Sequence, residues 1–261
     1  MGETAATFDA RTIALHRTGN GPPLVLLHCL GVDHRLWPLA LGGMERERTL
    51  LAYDFPGHGE SRVPLAPYGI ADLSAQLAAI LDQAGIARAT IAGISLGGLV
   101  AQHFAASFPA RADRLVLIDT TPRYTDELRT MWAMRAAQAR KDGVKSLVPG
   151  LLEIWFTQDF AAQNPPAVRY VRDTLERCSG EGYARACEAL AAADLRGLAA
   201  KIVAPTLVVC GEHDIPSFLD AARWLKANIA NAKLAWLTPA RHASILEQPD
   251  EFRRTLRDFL A

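Results

Sequence analysis

"IAGISLGGLV", residues 91–100, sets Ser95 among Gly93, Gly97 and Gly98, where one periodicity gives way to another. Upstream, "ATIAGI" (89–94) is apolar on successive positions, as a short strand covered on both faces is. Downstream, "LGGLVAQHFAASFP" (96–109) carries a helical stripe. Glycine weakens helices and strands alike, so a chain that changes element through glycines needs something only they permit. A G-x-S-x-G pentad between strand and helix supplies the reason. The serine takes a strained backbone in a sharp turn, and a bulky side chain two residues before or after it would strike neighbouring backbone. The gain is presentation. The hydroxyl stands clear at the strand's carboxyl end, and the N–H of Leu96 points from the helix's first turn toward the same spot, where the helix dipole favours negative charge. A phosphate loop does not fit, because "GISLGG" lacks the GK[ST] ending, and the G-x-G-x-x-G dinucleotide spacing is absent here.

Working outward, further strand-length runs are "PLVLLH" (23–28), "TLLAYD" (49–54), "RLVLID" (114–119), "PTLVVCG" (205–211) and "AKLAWLT" (232–238). Most are continuous rather than alternating. Helical stripes lie between several of them. Residues 71–85 place Leu73, Leu77, Ile80, Leu81 and Ala84 on one side and stop at Gly85; 217–229 reads similarly; the last stretch aligns Phe252, Leu256 and Phe259. Strand and helix in alternation predict an α/β fold with a mostly parallel central sheet and helices on both faces. From Thr121 to about Ala200 the pattern changes. Helical stretches follow one another at about 125–142, 144–156, 165–178 and 181–193, punctuated by Pro122, Pro149, Pro165, Pro166 and Gly180. The expected organisation is a core of residues 1–121 and 201–261, with residues 122–200 inserted as a helical cap over the sheet's working edge.

Bulk properties narrow the function. Of 261 residues half are apolar, enough for one large domain with an insertion. Twenty-eight basic residues balance 28 acidic ones, which gives no electrostatic reason to expect nucleic acid or an anionic membrane as partner. A small anionic substrate stays open, since one local arginine would serve it. No basic stretch leads from Met1 into an apolar run, and no apolar run reaches about 18 residues, so neither a signal peptide nor a membrane span is expected. Cys29, Cys178, Cys187 and Cys210 are scattered without CxxC spacing, which predicts reduced thiols in a cytoplasmic protein rather than a zinc site. Gly2 follows Met1, but Ala6 stands where the lipidation pattern needs Ser or Thr.

A serine hydroxyl is a poor nucleophile until a base takes its proton. His242, in "TPARHASILEQPDEF", lies on a loop between the strand run 232–238 and the last helix, at the same sheet edge as Ser95. His213, His28 and His34 lie near similar edges; His16, His58 and His103 are placed less well. The acid that orients the base should precede it in the chain order Ser, acid, His. Asp214 in "GEHD" is the choice, with Glu212 as rival and Asp119 as a weaker one. An oxyanion hole needs a second donor besides the Leu96 N–H, and the backbone N–H of Leu30 in "LLHCLGVDHRLW" is assigned to it. Cys29 precedes it where glycine is common, which narrows the permitted backbone angles. No metal or organic cofactor is expected.

"HCLG", "DFPGHGES" (54–61), "GISLGG", "GEHD" and "RHASILEQP" stand in an order and spacing that resembles the α/β-hydrolase family over nearly the whole chain. In that family the "DFPGHGES" loop is mostly a structural turn, so Asp54, His58 and Ser61 are not assigned chemistry. Within the superfamily the chain resembles the 3-oxoadipate enol-lactonases. The likeness lies in the cap segments "WAMR" (132–135), "WFT" (155–157), "EGYARACEAL" (181–190) and "ADLR" (193–196). The resemblance implies that Trp132 shapes the pocket and that Arg135 faces a substrate carboxylate, a task suited to its two-pronged donor geometry. It implies a small-molecule lactone or ester as partner. Arg123 and Tyr124 depart from the family, where smaller residues are expected; so do Cys29 and the absence of Thr-Pro after Asp214. A broad carboxylesterase, a perhydrolase or carbon–carbon bond hydrolase, and a ligand-binding receptor of the same fold would share these residues.

Overall fold

The computed structural model describes residues 13–261. Gly2 and Ala6, on which the lipidation reading rests, lie outside them, as does the reading of the first residues for a signal peptide. The chain begins with two strands, Leu15–Thr18 (β1) and Pro23–Leu27 (β2), and a short helix, Leu36–Leu41 (α1). Thr49–Tyr53 (β3) is followed by Ile70–Gln83 (α2), Ala89–Ile94 (β4) by Leu96–Ser107 (α3), and then comes Ala112–Ile118 (β5). Helices Asp126–Asp142 (α4), Val148–Trp155 (α5), Gln158–Ala162 (α6), Pro166–Arg177 (α7) and Gly180–Ala192 (α8) fill the interval to Thr206–Gly211 (β6). Pro216–Asn228 (α9), Ala232–Leu237 (β7), Ser244–Glu247 (α10) and Pro249–Leu260 (α11) complete the chain.

The strands form one sheet in the order β1-β3-β2-β4-β5-β6-β7. Only β1 runs antiparallel to its neighbour, with Leu15 opposite Tyr53; the pairs from β3 to β7 are all parallel. Every residue of β4 and β6 is buried, so both faces of the sheet are covered at its centre. Helix α3 lies along β2, β4 and β5 with α2 packed on it, α9 runs against β6 and β7, and α1 pairs with α11. This is the α/β-hydrolase architecture, and it puts the carboxyl ends of the parallel strands on one edge.

Between β5 and β6 the helical insert folds on itself. Thr125 caps α4 by accepting from the Leu128 N–H at 3.3 Å. Ser179 caps α8 by accepting from the Gly182 N–H at 3.2 Å. These two helices pack lengthwise. Arg140 of α4 pairs with Glu181 at 2.7 Å and Glu188 at 2.5 Å, both on α8. The two ends of the insert meet: Arg123 and Asp194 form an isolated β-bridge, and the Leu195 N–H donates to Pro122 O at 2.8 Å.

The strand runs read from sequence match the observed strands within a residue or two. Strand β1 and helices α1, α6 and α10 are additions, and the stretch 144–156 divides into a 3₁₀ turn at Val144–Leu147 and α5. All four cysteines are free, and no described helix is long and apolar enough to cross a membrane.

Candidate active site

Ser95 joins β4 to α3 with φ 52° and ψ −111°, a left-handed conformation uncommon for a residue with a side chain. Three glycines allow it. A Cβ on Gly93 would lie 2.2 Å from Gly97 O, one on Gly97 would lie 2.1 Å from Leu27 O, and one on Gly98 would lie 2.5 Å from Thr120 Cβ. The glycines therefore let α3 start hard against the ends of β2 and β5. Hydrogen bonds fix the turn: Ser95 N–H donates to Ile118 O at 2.9 Å, and Thr120 Oγ1 donates to Ser95 O at 2.8 Å.

Asp214 follows β6, and His242 lies on the loop between β7 and α10. The two loops touch through Gly211, where a Cβ would sit 2.2 Å from Arg241 O and 2.6 Å from Ala240 O. His242 Nδ1 is 2.8 Å from Asp214 Oδ2, and His242 Nε2 is 3.2 Å from Ser95 Oγ. The structure thus brings Ser95, His242 and Asp214 into one line, all three buried. Asp214 Oδ1 accepts from the Ile215 N–H at 2.7 Å, which fixes the carboxylate. An ionised carboxylate only accepts, so Nδ1 carries the ring proton and Nε2 turns its lone pair to the Ser95 hydroxyl. Burial alone would pull the imidazole's pKa down. The charge and hydrogen bond of Asp214, with a smaller contribution from Asp119, outweigh it and raise the pKa above the ordinary histidine value, while Arg135 opposes them.

The rival acids point elsewhere. Glu212 is exposed and accepts from Thr238 Oγ1. Asp119, fully buried with φ 42°, accepts from Gly211 N–H at 2.9 Å, Ser244 N–H at 3.1 Å and Ser244 Oγ at 2.6 Å. It ties the end of β6 to the histidine loop. Burial and the nearby Asp214 charge push its carboxyl pKa up. Asp119, Cys210 and Asp214 lie within 4.8 Å of one another, but both carboxylates have partners here and burial pushes the Cys210 thiol up, which disfavours metal ligation. His16, His34 and Asp54 form a second such group, with the two rings stacked 3.4 Å apart.

Leu96 is the first residue of α3, so its N–H has no intrahelical acceptor. Leu30 is buried on the loop after β2. His28 sets this loop. The Phe55 N–H donates to His28 Nε2 at 2.9 Å, so Nδ1 is the protonated nitrogen, and it donates to Cys29 O at 2.7 Å. In a trans peptide C=O and N–H point oppositely; with the Cys29 carbonyl turned to the imidazole, the Leu30 N–H faces the other way. The positive φ of this loop, 82°, falls at Gly31 and not at Cys29, so the cysteine carries no left-handed strain. Burial pushes the Cys29 thiol pKa up and keeps it from acting as a thiolate. The "DFPGHGES" loop is a hydrogen-bonded turn: Asp54 accepts from His34 N–H at 2.7 Å and Glu60 N–H at 2.9 Å, and Ser61 Oγ donates to Asp54 O at 2.6 Å.

The insert and α9 together supply an aromatic wall. Trp155 and Phe218 flank the His242 ring at 6.4 Å and 4.4 Å between centroids. Tyr124 stands edge-on to Phe218 at 6.1 Å and to Trp132 at 5.4 Å. Trp132 and Arg135 share a face of α4, with the guanidinium 5.0 Å from the indole centroid. Half-buried Arg135 has no carboxylate partner among the described residues, yet it is near enough to weigh on the protonation of both His242 and Tyr124. Trp132 Nε1, Tyr124 Oη and Tyr183 Oη are buried without a hydrogen bond of normal geometry. Sequence reading did not assign Phe218, Trp155 and Tyr183 to the site, because aromatic residues at helical spacing read first as core; Tyr124 stood out only as a departure from the family.

Residues 24–255 match the sequence profile of the Alpha/beta hydrolase family. A 3-oxoadipate enol-lactonase 2 from Acinetobacter baylyi is 32% identical over 254 residues, 96% of this chain and 94% of the relative. A pimeloyl-[acyl-carrier protein] methyl ester esterase from Chromobacterium violaceum is 32% identical over 93% of this chain and 95% of its own length. The crystal structure of the enol-lactonase from Burkholderia xenovorans superposes with a TM-score of 0.90 at 36% identity, covering 95% of this chain and 96% of that one.

Proposed function

The chain belongs to the α/β-hydrolase family, and from that premise we propose that it is a serine hydrolase whose substrate is the enol-lactone of 3-oxoadipate, opened to 3-oxoadipate. The observation that carries the reaction class is the buried Ser95–His242–Asp214 line. The finer substrate reading draws on the enol-lactonase relatives and on Arg135, a cation stacked on Trp132 in the insert with no acidic partner among the described residues.

In this mechanism His242 Nε2 takes the proton of Ser95 as Oγ attacks the lactone carbonyl. The N–H groups of Leu30 and Leu96 hold the oxygen that becomes negative. Asp214 keeps the proton on Nδ1 and stabilises the imidazolium. As the tetrahedral carbon collapses, the ring C–O bond breaks and His242 returns the proton to the departing enol oxygen. Water, activated by the same imidazole, then releases the acyl group from Ser95. Every proton is handled by His242, and this chemistry runs on the chain's own groups. Arg135, with the Trp132 Nε1 donor beside it, binds the substrate's free carboxylate, and the helical insert serves as the cap that excludes water. The four free thiols favour a reducing compartment, the cytoplasm.

The esterase relative supports a second reading, a carboxylesterase acting on acyclic esters. A panel of lactones and esters, each with and without a free carboxylate, separates the two. Wild type is expected to prefer the carboxylate-bearing enol-lactone. Ser95→Ala is expected to lose about 10⁴-fold or more in kcat with every substrate. Arg135→Ala is expected to raise KM about 10- to 100-fold for carboxylate-bearing substrates alone. Near-wild-type turnover by Ser95→Ala would remove the serine mechanism. Equal rates on neutral aryl esters would replace the lactonase reading by the esterase one.

A further inference from the structure

One hydroxyl in the aromatic wall around His242 has no part in the mechanism above. Tyr124 lies on the segment from β5 to α4 and is 1% exposed. Trp132 and Phe218 hold its ring edge-on, and Phe218 in turn packs on the His242 imidazole, so the phenol is fixed in the same wall as the base. Its Oη is buried without a hydrogen bond of normal geometry. The side chain of Ser95 is nevertheless near enough to offset part of what burial does to the phenol's acidity. A phenol held rigid in this wall with its hydroxyl uncommitted offers a donor to an oxygen bound against the wall.

Sheet order tells which oxygen. β4 carries Ser95 at its end, with β2 on one side and β5 on the other. The Leu30 N–H comes from the β2 side and, with the Leu96 N–H, takes the carbonyl oxygen. Tyr124 comes from the β5 side, where Phe218 links it to His242. The atom that must come within reach of both His242 and this side is the leaving oxygen. We infer that the Tyr124 hydroxyl donates a hydrogen bond to the leaving oxygen of the lactone or ester while its bond to the acyl carbon breaks. The inference rests on the hydrolase reading above. The step balances: the Oγ–acyl bond forms, the acyl–oxygen bond breaks with its electron pair on the leaving oxygen, and the proton from Ser95 arrives there through His242. Tyr124 keeps its own proton throughout; burial raises its pKa and holds the phenol protonated at neutral pH.

A donor to the leaving oxygen matters most when that oxygen is most basic. The test is Tyr124→Phe assayed by kcat/KM on esters of one acyl group with alkyl, enol and p-nitrophenyl leaving groups. The alkyl ester is expected to lose roughly 10- to 100-fold, the enol ester less, and the p-nitrophenyl ester under about twofold, so the leaving-group dependence steepens. The melting temperature is expected to hold or rise, because the variant removes an unpaired hydroxyl and keeps the ring. Equal loss across the series, no loss, or a lowered melting temperature accompanied by general loss would each overturn the inference. Wild-type turnover of the same series tests the hydrolase reading separately: if wild type hydrolyses none of them, that reading fails, whatever the variant does.

Discussion

In the proposed mechanism a single imidazole sets the pH dependence, because Ser95 attacks only when His242 is neutral. Three charged groups act on that ring: Asp214 at 2.8 Å, Asp119 behind it, and Arg135 from the insert. Burial favours the neutral ring; the carboxylates favour the cation and prevail, so the pKa lies above the usual value of about 6.5. The sign for activity follows. Acid protonates the base, so kcat/KM on a neutral ester falls as pH drops through this raised pKa, and the acid limb is expected above about pH 6.5. Asp119→Asn removes the charge this carboxyl carries when ionised and one of its two acceptor oxygens, so it is expected to move the limb to lower pH and, by loosening the tie from β6 to the histidine loop, to lower kcat as well. Asp214→Asn also removes the acceptor that holds the tautomer, and is expected to lower kcat by about 10⁴-fold. A pH–rate profile of wild type and Asp119→Asn checks the first expectation; a limb that does not move would detach Asp119 from the imidazole's electrostatics.

At the scale of elements, the turn from β4 into α3 depends on backbones approaching more closely than side chains allow. A methyl group on Gly97 would meet Leu27 O at 2.1 Å and Leu27 C at 2.6 Å, both backbone atoms at the end of β2. Gly97→Ala is therefore expected to force α3 away from β2, costing about 2 kcal/mol or more and most of the activity. Gly150 in α5 is the control: nothing lies within 4 Å of its added Cβ, so Gly150→Ala is expected to gain about 0.5–1 kcal/mol. Denaturant melts of the two variants check both. This turn was legible in the sequence because its constraint is local, three glycines placed around one serine. Strands β2 to β6 were legible because burial on both faces makes a continuous apolar run. β1 was not, since "LHRT" is short, mostly exposed and polar at all but its first residue. Helices α1 and α10 are under two turns and have no side-chain cap, so their sequence carries no start signal. The clamp made by His28 was hidden for another reason: its partner Phe55 is 27 residues away, and no local pattern announces that contact.

At the scale of the whole molecule, the insert and the histidine loop are fastened to each other. Buried Glu247 accepts from Thr157 N–H at 2.9 Å and Thr157 Oγ at 2.6 Å with one oxygen, and from Arg241 N–H at 2.6 Å with the other. The Ala243 N–H donates to Trp155 O at 2.9 Å beside it. A second fastening lies at Gly57 and Gly182, whose backbones touch so closely that a Cβ on Gly57 would lie 2.5 Å from Gly182 Cα. "RHASILEQP" and "WFT" were read from sequence as separate signatures, and Glu247 was assigned no role, because the contact joining them spans 90 residues. The two fastenings can be told apart. Glu247→Ala leaves three donors on two segments without their acceptor, and is expected to cost about 1–3 kcal/mol. Hydrogen exchange should then rise together in residues 153–160 and 240–247, with kcat falling as His242 loses its fixed position, while 180–184 stays protected. Faster exchange in 240–247 alone would mean that the Gly57–Gly182 contact by itself holds the insert. The position of the base and the position of the lid would then be independent properties of the fold rather than one.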